Sequence, residues 1–236
     1  MLKLQNYTKI YENGKVGAKD INLVVEKGDI FAFIGENGAG KTTTIKSIVG
    51  IHNMTSGDIF VDGISMKEAP LEAKKIMAYI PDNPDVYASL TGIQFINLIA
   101  DVYGVSKEER EALVDKYATL FEIKSVLNAP ISTYSHGMRQ KIVLISALVH
   151  SPKILVLDEP FVGLDPKASF SLKNLMKDFV KDGGAIFFST HVLEVAEKLC
   201  NKVAIIKNGV IIADGTMEQV KKNSSLEQAF LESDNE

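Results

Sequence analysis

Residues 35–42 have the composition of a phosphate-binding loop. They read G-E-N-G-A-G-K-T, which matches Gly, any four residues, Gly, Lys and then Ser or Thr. The glycines at 35, 38 and 40 lack a Cβ, so they permit the positive-φ backbone in which N–H groups point towards a phosphate. Lys41 can reach the β- and γ-phosphates, and the Thr42 hydroxyl can bind a magnesium ion. The loop predicts nucleotide binding, but it does not choose among GTPases, kinases, recombinases and transport ATPases.

Two adjacent carboxylates could supply the metal and water chemistry. Asp158 and Glu159 directly follow the apolar run 154–157, and ligands of α/β proteins bind at the carboxyl ends of such strands. Asp158 is predicted to hold magnesium, directly or through water, opposite Thr42. Glu159 is predicted to orient or deprotonate the water that attacks the γ-phosphate. The alternative is a polar strand end before a turn at Pro160, which the presence of the phosphate loop disfavours.

The surrounding pattern predicts a parallel α/β sheet with an antiparallel β flank. An apolar run at 30–34 precedes the loop, and 41–49 reads as a helix that ends at Gly50. Apolar runs at 154–157 and 185–188 alternate with predicted helices at 166–181 and 193–199. The flank is predicted from strand-like segments in 2–25 around a turn at 12–14 and from a short hairpin at 58–61 with turn residues at 62–63. A terminal hairpin is predicted separately, because Asn208-Gly209 favours a type I′ turn between 203–206 and 210–213.

Between residues 84 and 151 strand signals give way to helical periodicity, which predicts an inserted helical part. Three helices are expected there, each with a hydroxyl N-cap. They run from Thr91 to 103, from Ser106 to 121 with Glu109 completing a capping box, and from Ser135 to about 150. The chain is therefore predicted to be a single domain, with residues 1–82 and 152–236 as its core and 83–151 as the insertion.

Composition narrows the class of protein. The chain has 236 residues, 46% of them hydrophobic, and a formal net charge of −4, which argues against a chain-wide basic surface, so no nucleic acid partner is expected. The single cysteine, Cys200, excludes an internal disulfide and a zinc cluster, and it is predicted to pack on a helix.

The sequence shows no signal peptide, and none of its apolar runs approaches the ~20 residues needed to span a membrane. The chain is therefore expected to stay in the cytosol and to reach a membrane through a partner. Residues 223–225 and 233–236 are expected to be loosely structured.

Residues 134–141, Y-S-H-G-M-R-Q-K, resemble the signature segment of ABC (ATP-binding cassette) ATPases, whose usual wording is L-S-G-G-Q. Ser135, which lies 23 positions before Asp158, and Gly137 match this wording, whereas Tyr134, His136 and Met138 depart from it. Ser135 at a helix N-cap beside Gly137 offers an anion a hydroxyl, backbone N–H groups and the positive end of a helix dipole. Alone, this segment would be read as an ordinary N-cap, but its order and spacing relative to the other motifs favour the signature.

The resemblance covers residues 11–215 and implies further roles. Residues 163–166, G-L-D-P, resemble the D-loop that runs along the dimer seam, although Asp165 could also simply begin a helix. His191 resembles the switch histidine that senses the γ-phosphate. Tyr11 resembles the aromatic residue that stacks on adenine, and Tyr7 is its rival.

The Q-loop is where the chain departs most from the family pattern. After residues 78–81, A-Y-I-P, the chain has Asp82 and Asn83 where the family has a glutamine. Asp82 aligns with that glutamine, but its side chain is one methylene shorter and, when ionised, only accepts hydrogen bonds. Asn83 offers an amide one position later. A contact from Asp82 and an ordinary Asp-Asn-Pro turn are both open interpretations.

By this resemblance the chain is an α/β P-loop NTPase, an ABC nucleotide-binding domain with a RecA-like core, an antiparallel β flank and an inserted helical subdomain. It is expected to bind ATP and Mg²⁺, to hydrolyse ATP, and to form a head-to-tail homodimer or heterodimer of such domains. Catalysis is assigned to Glu159, His191 and Lys41, and the metal to Thr42 and Asp158. The nucleotide is expected to contact Tyr11, Gly35, Asn37, Gly38, Ala39, Gly40, Lys41, Thr42, Thr43, Asp82, Ser135 and Gly137.

The resemblance further implies membrane-spanning permease subunits as partners and a peripheral position at the cytoplasmic face of the cell membrane. The wording around the signature and at 159–166 is most similar to multidrug, peptide or ABC-2-type exporters, which favours export. A soluble ABC ATPase of translation or DNA repair is the alternative, but the two cassettes, coiled-coil insertions or zinc modules typical of that class do not appear. A regulatory ATP switch is disfavoured because Lys41, Asp158, Glu159 and His191 are all present, and a GTPase because no Asn-Lys-x-Asp segment occurs.

Overall fold

The computed structural model of the chain describes residues 1–83, 86–221 and 225–232. Most of the segments expected to be loose, 223–224 and 233–236, lie outside these residues, as do residues 84–85 near the start of the predicted insertion. Nine α-helices are formed in the described part. They are α1 (Lys41–Ile48), α2 (Pro70–Lys75), α3 (Gly92–Val102), α4 (Lys107–Leu120), α5 (His136–Leu148), α6 (Pro166–Lys181), α7 (Leu193–Leu199), α8 (Met217–Lys221) and α9 (Leu226–Glu232).

Two β-sheets form the framework of the fold. The antiparallel sheet contains β1 (Leu2–Ile10), β2 (Val16–Val25), β4 (Ser56–Val61) and β5 (Ile64–Ser65), and the second sheet contains β3 (Ile30–Ile34), β6 (Met77–Ile80), β7 (Ile154–Asp158), β8 (Ala185–Thr190), β9 (Lys202–Lys207) and β10 (Val210–Thr216). The strand orders are β2-β1-β4-β5 and β10-β9-β3-β8-β7-β6. All pairs of the second sheet are parallel except β9–β10. The predicted parallel sheet with an antiparallel flank is confirmed, and β6, α2, α8 and α9 are elements that the sequence pattern did not assign.

The second sheet is buried on both faces because its strands alternate their side chains between two hydrophobic clusters. Ile30, Ala32 and Ile34 face the cluster that includes α3, α4 and α5. Phe31 and Phe33 face the opposite cluster, which joins α1 to the antiparallel sheet. The Phe187 ring, from the neighbouring strand, lies 5.3 Å from the Phe33 ring. The carboxyl ends of β3, β7 and β8 are thereby fixed at one edge by packing on both sides.

The N-caps of the helices follow the predicted hydroxyl residues. Thr91 caps α3 in a complete capping box with Gln94, since each side chain bonds the other residue's backbone N–H. Ser106 caps α4 by accepting from the Glu109 amide at 3.3 Å, but the reciprocal bond that would complete the predicted box is not formed there. The full box therefore lies one helix earlier than expected.

The predicted type I′ turn is also confirmed. Asn208 and Gly209 connect β9 to β10 with φ angles of +49° and +81°, the two positive values that this turn requires. This turn also contacts the phosphate loop through the Gly209 amide.

Candidate functional site

The phosphate loop, residues 35–42, connects β3 to α1. Gly38 and Gly40 have φ angles of +87° and +114°, as expected for a loop that directs its N–H groups inward. Gly35 does not have a positive φ, so that part of the prediction is wrong. Its glycine is required for a different reason, because a Cβ there would lie 2.4 Å from the carbonyl oxygen of Ile206.

Backbone contacts from distant parts of the chain hold the loop in place. A Cβ on Gly40 would lie 2.3 Å from the carbonyl oxygen of Gly17 in β2. The Gly209 amide donates to the carbonyl of Ala39 at 2.8 Å, and the Lys19 amide donates to the carbonyl of Gly209 at 2.7 Å. The loop is therefore enclosed between β2 and the 208–209 turn.

We expect Gly40→Ala to weaken nucleotide binding strongly while the chain stays folded. The methyl group would need a strained backbone, at a cost of about 1–3 kcal/mol, and would also displace β2 from the loop. Binding of a fluorescent ATP analogue, with thermal unfolding followed by circular dichroism, measures both effects. Gly183→Ala is the matched control, since Gly183 also has a positive φ of +92° but a Cβ there would meet nothing within 4 Å. Equal nucleotide affinity in the two variants would show that the Gly17 contact is unimportant.

Lys41 lies in the interior of this loop. Its Nζ donates to the carbonyl oxygens of Gly35 at 2.7 Å and Glu36 at 3.1 Å, and it lies 3.9 Å from Oε1 of Glu159. Burial lowers the pKa of Lys41, and the negative charges of Glu159 and Asp158 oppose that shift. The lysine is thus a nearly buried cation placed between the loop carbonyls and the two carboxylates.

Asp158 ends β7 and is almost completely buried. Its Oδ1 accepts a hydrogen bond from the Ser189 hydroxyl. Burial raises the pKa of Asp158, whereas hydroxyl groups of Ser189 and Thr42 favour its charged form. Even so, Oδ2 is buried and makes no hydrogen bond of ordinary geometry within the part of the chain that the structure describes.

A buried, unpaired carboxylate oxygen beside the Thr42 hydroxyl fits a divalent cation, because Mg²⁺ prefers hard oxygen ligands and commonly takes one or two from protein and others from phosphate. Among residues 1–83, 86–221 and 225–232, no group of three His, Cys, Asp or Glu side chains could hold a metal ion by itself. The donor set therefore suits a cation that arrives with a nucleotide.

Glu159 has a left-handed backbone, with φ of +48°. Its amide donates to the carbonyl oxygen and the hydroxyl of Ser189, at 3.3 and 3.1 Å. Nδ1 of the exposed His191 donates to Oε1 of Glu159 at 2.9 Å. The two residues predicted to act on the γ-phosphate are therefore in direct contact.

A cleft of about 420 Å³ opens beside the loop. Of the predicted nucleotide-binding residues, the cleft is lined by Tyr11, Asn37, Gly38, Gly40, Lys41, Thr42, Thr43 and Asp82, together with Glu159. Gly35 and Ala39 lie outside this lining, where Gly35 approaches Ile206 and the Ala39 carbonyl accepts from the Gly209 amide. Ser135 and Gly137 lie outside the cleft, where Ser135 caps α5 by accepting from the Met138 amide at 3.3 Å.

The two candidate tyrosines occupy different environments. The Tyr11 hydroxyl shares a hydrogen bond of 2.9 Å with Oγ1 of Thr43, and its ring lies at the cleft. Tyr7 is fully buried, its hydroxyl donates to Oγ of Ser47 at 2.7 Å, and burial raises its pKa to about 12. Tyr7 is a core residue that joins β1 to α1, so only Tyr11 is available to a ligand.

Asp82 lines the cleft, and its Oδ1 accepts from the Asn83 amide at 2.8 Å. Ile80 in β6 pairs with Leu157 in β7, so this parallel pairing brings Asp82 to the strand end where Asp158 lies. The charge of Asp82 contributes to raising the pKa of Asp158. The departure from the family glutamine therefore adds negative charge to the site.

Sequence reasoning missed several residues at this site. Asn13, Lys15, Val16 and Gly17 also line the cleft, and Ser189 bonds both Asp158 and Glu159. The predicted turn at 12–14 directly follows Tyr11, so it could have indicated that the next residues return beside it. Ser189 carried no signal beyond its place in the apolar strand.

Comparisons with known proteins agree with this geometry. The family model described as "ABC transporter" matches residues 18–162. The ABC-type transporter ATP-binding protein EcsA of Bacillus subtilis (strain 168) is 33% identical over 232 residues, which cover 98% of this chain and 94% of EcsA. A solved ATP-binding subunit of an ABC transporter superposes with a TM-score of 0.95 at 32% identity and covers 99% of both chains.

A second solved structure is the dimeric, post-hydrolysis state of the ATP-binding cassette MJ0796 bound to ADP and Pi. It superposes with a TM-score of 0.83 at 25% identity and covers 92% of this chain and 99% of that chain. Separately, none of the helices in the described ranges has the length and apolar character needed to cross a membrane.

Proposed function

This chain belongs to the ABC transporter family of ATP-binding proteins, and we propose that it powers export through separate membrane-spanning subunits. It is an ATPase with the P-loop fold of that family, and it acts as the ATP-binding subunit of a transporter. The direction of transport is inferred from the signature wording and the 159–166 segment, which are most similar to exporters.

The proposed nucleotide site is the cleft beside the phosphate loop. Tyr11 stacks on the adenine, and the loop N–H groups with Lys41 bind the phosphates. Thr42 and Asp158 would hold a magnesium ion, which when bound neutralises charge on the phosphate oxygens. Asp82, which follows the adjoining strand β6, would add its carboxylate oxygens to this set of oxygen ligands.

The proposed reaction uses Glu159 and His191. Glu159 accepts the proton of a water molecule aligned with the γ-phosphate. Its carboxylate lies 3.9 Å from the Lys41 ammonium, so the cation holds it at the phosphate end of the cleft. His191, bonded to the same carboxylate, orients it and registers whether the γ-phosphate is present.

We propose that the site is completed by a second subunit. Ser135 and Gly137 lie outside the chain's own cleft, so they are available to the phosphates of a facing subunit in a head-to-tail homodimer or heterodimer. Binding of ATP would favour the closed pair, and hydrolysis would remove the contacts that favour it. In this arrangement residues 1–82 and 152–236 form the ATP-binding core, and 83–151 form the helical subdomain that carries the signature.

The observation that carries this proposal is the convergence of Lys41, Asp158 and Glu159 at one strand edge, with Ser135 exposed elsewhere. A tagged full-length chain, purified from native membranes in mild detergent, tests the transporter assignment. We expect a multi-spanning membrane protein to copurify in fixed stoichiometry, and the chain to lie at the cytoplasmic face. An untagged strain is the control, and copurification with ribosomes or DNA-repair proteins would contradict the assignment.

A further inference from the structure

The first turn of α5 is in very close contact with the loop 159–165, which follows β7. Gly163 in that loop has φ of +79°, and a Cβ there would lie 2.3 Å from Cδ2 of His136. The imidazole ring therefore rests directly on the Gly163 backbone. In the opposite direction, a Cβ on Gly137 would lie 3.0 Å from the carbonyl oxygen of Gly163. A side-chain atom added at either glycine would therefore require its neighbour to shift.

An ion pair joins the same two segments one helical turn further on. Nζ of Lys141 lies 3.2 Å from Oδ2 of Asp165, and the lysine side chain is only 15% exposed. Asp165 also caps α6, since its Oδ1 accepts from the Ala168 amide at 2.8 Å. Both contacts lower the pKa of Asp165. The starts of α5 and α6 are thus connected by packing and by charge.

The loop 159–165 is itself compact, so it can transmit a displacement. The Val162 amide donates to the carbonyl of Glu159 at 3.1 Å, and the Leu164 amide donates to the carbonyl of Phe161 at 3.4 Å. At its beginning, Glu159 is held by Ser189. A short, internally bonded segment therefore leads from the carboxylate in the chain's own cleft to the His136 ring at the signature.

We propose that His136 is a positioning residue that holds the 135–137 turn against the loop 159–165, so that both segments move as one body. The proposal rests on the proposed function, because only a paired subunit would use 135–137. The usual family wording has a glycine at this position and cannot make the contact with a side chain. In this chain, a change at Glu159 in one cleft would therefore reach the turn that serves the other cleft.

Amide hydrogen exchange of the full-length chain tests this coupling. His136→Ala removes the ring but keeps a good helix former, and we expect exchange to increase in both 135–141 and 159–165. An increase of about twofold to thirtyfold corresponds to the coupling energies found for packed networks. His136→Phe keeps a planar ring against Gly163 and should restore slow exchange in both segments.

Pairing of subunits gives a second measurement. In a Glu159→Gln background, His136→Ala should weaken ATP-induced dimerisation by a similar factor, measured by analytical ultracentrifugation, without changing the affinity of the monomer for an ATP analogue. Unchanged exchange in 159–165, or a Phe variant that behaves like Ala, would overturn the role of His136. If the Glu159→Gln variant stays monomeric with ATP, the proposed pairing of subunits is wrong. The hydrogen-exchange comparison of the Ala and Phe variants still tests the coupling between 135–137 and 159–165.

Discussion

Glu159→Gln is expected to bind ATP as tightly as the wild-type chain and to lose at least about 100-fold of its steady-state turnover, the scale of a removed general base. Glutamine has nearly the same shape and can keep the hydrogen bond to His191, so the cleft should be preserved. It cannot accept a proton from water at neutral pH. Phosphate release and binding of a fluorescent ATP analogue measure the two effects separately.

The same substitution should trap a dimer. Without hydrolysis the γ-phosphate stays in place, so the contacts that favour closure persist, and light scattering with ATP should report twice the monomer mass. Glu108→Gln, an exposed glutamate on α4, is the control and should leave turnover and mass unchanged. Wild-type turnover from Glu159→Gln would exclude Glu159 as the base.

Asp158→Asn is expected to reduce turnover by about 100-fold or more, since a lost metal contact removes several kcal/mol of transition-state stabilisation. The free chain should nevertheless unfold at the same or a higher temperature. Burial raises the pKa of Asp158, so the folded chain carries an unfavourable charge at pH 7, and a neutral amide removes that cost. Phosphate release as a function of Mg²⁺ concentration measures the loss of turnover. Thermal unfolding without nucleotide measures the change in stability.

Asp214→Asn provides the control for this prediction, because Asp214 is an exposed carboxylate on β10 and should affect neither measurement. A large loss of thermal stability in Asp158→Asn would indicate that the Asp158 carboxylate is mainly structural. Unchanged turnover at low Mg²⁺ would exclude it from the metal site.

Local signals predicted the parts of the fold that depend on short stretches of chain. The Asn208-Gly209 turn is fixed by which residues tolerate positive φ, and the Ser135 N-cap by a hydroxyl before a helical pattern. The approach of Asp158 and Glu159 to the phosphate loop could be predicted as well, because parallel strands end at one edge.

The remaining features depend on contacts between distant residues. Position 35 requires glycine because the backbone of Ile206 lies too close for a Cβ, and position 40 requires it because the backbone of Gly17 does. Neither neighbour can be identified from the sequence of the loop itself. Similarly, β6 has only four residues, too few for a periodic pattern, and its pairing with β7 is what brings Asp82 to the site.

The 208–209 turn has a consequence for engineering this chain. Tight hairpin turns at a surface are usually the places where a tag, a fluorescent domain or new termini are tolerated. Here the Gly209 amide and carbonyl bond Ala39 and Lys19, so an insertion between Asn208 and Gly209 would pull apart the loop and the strand that they join.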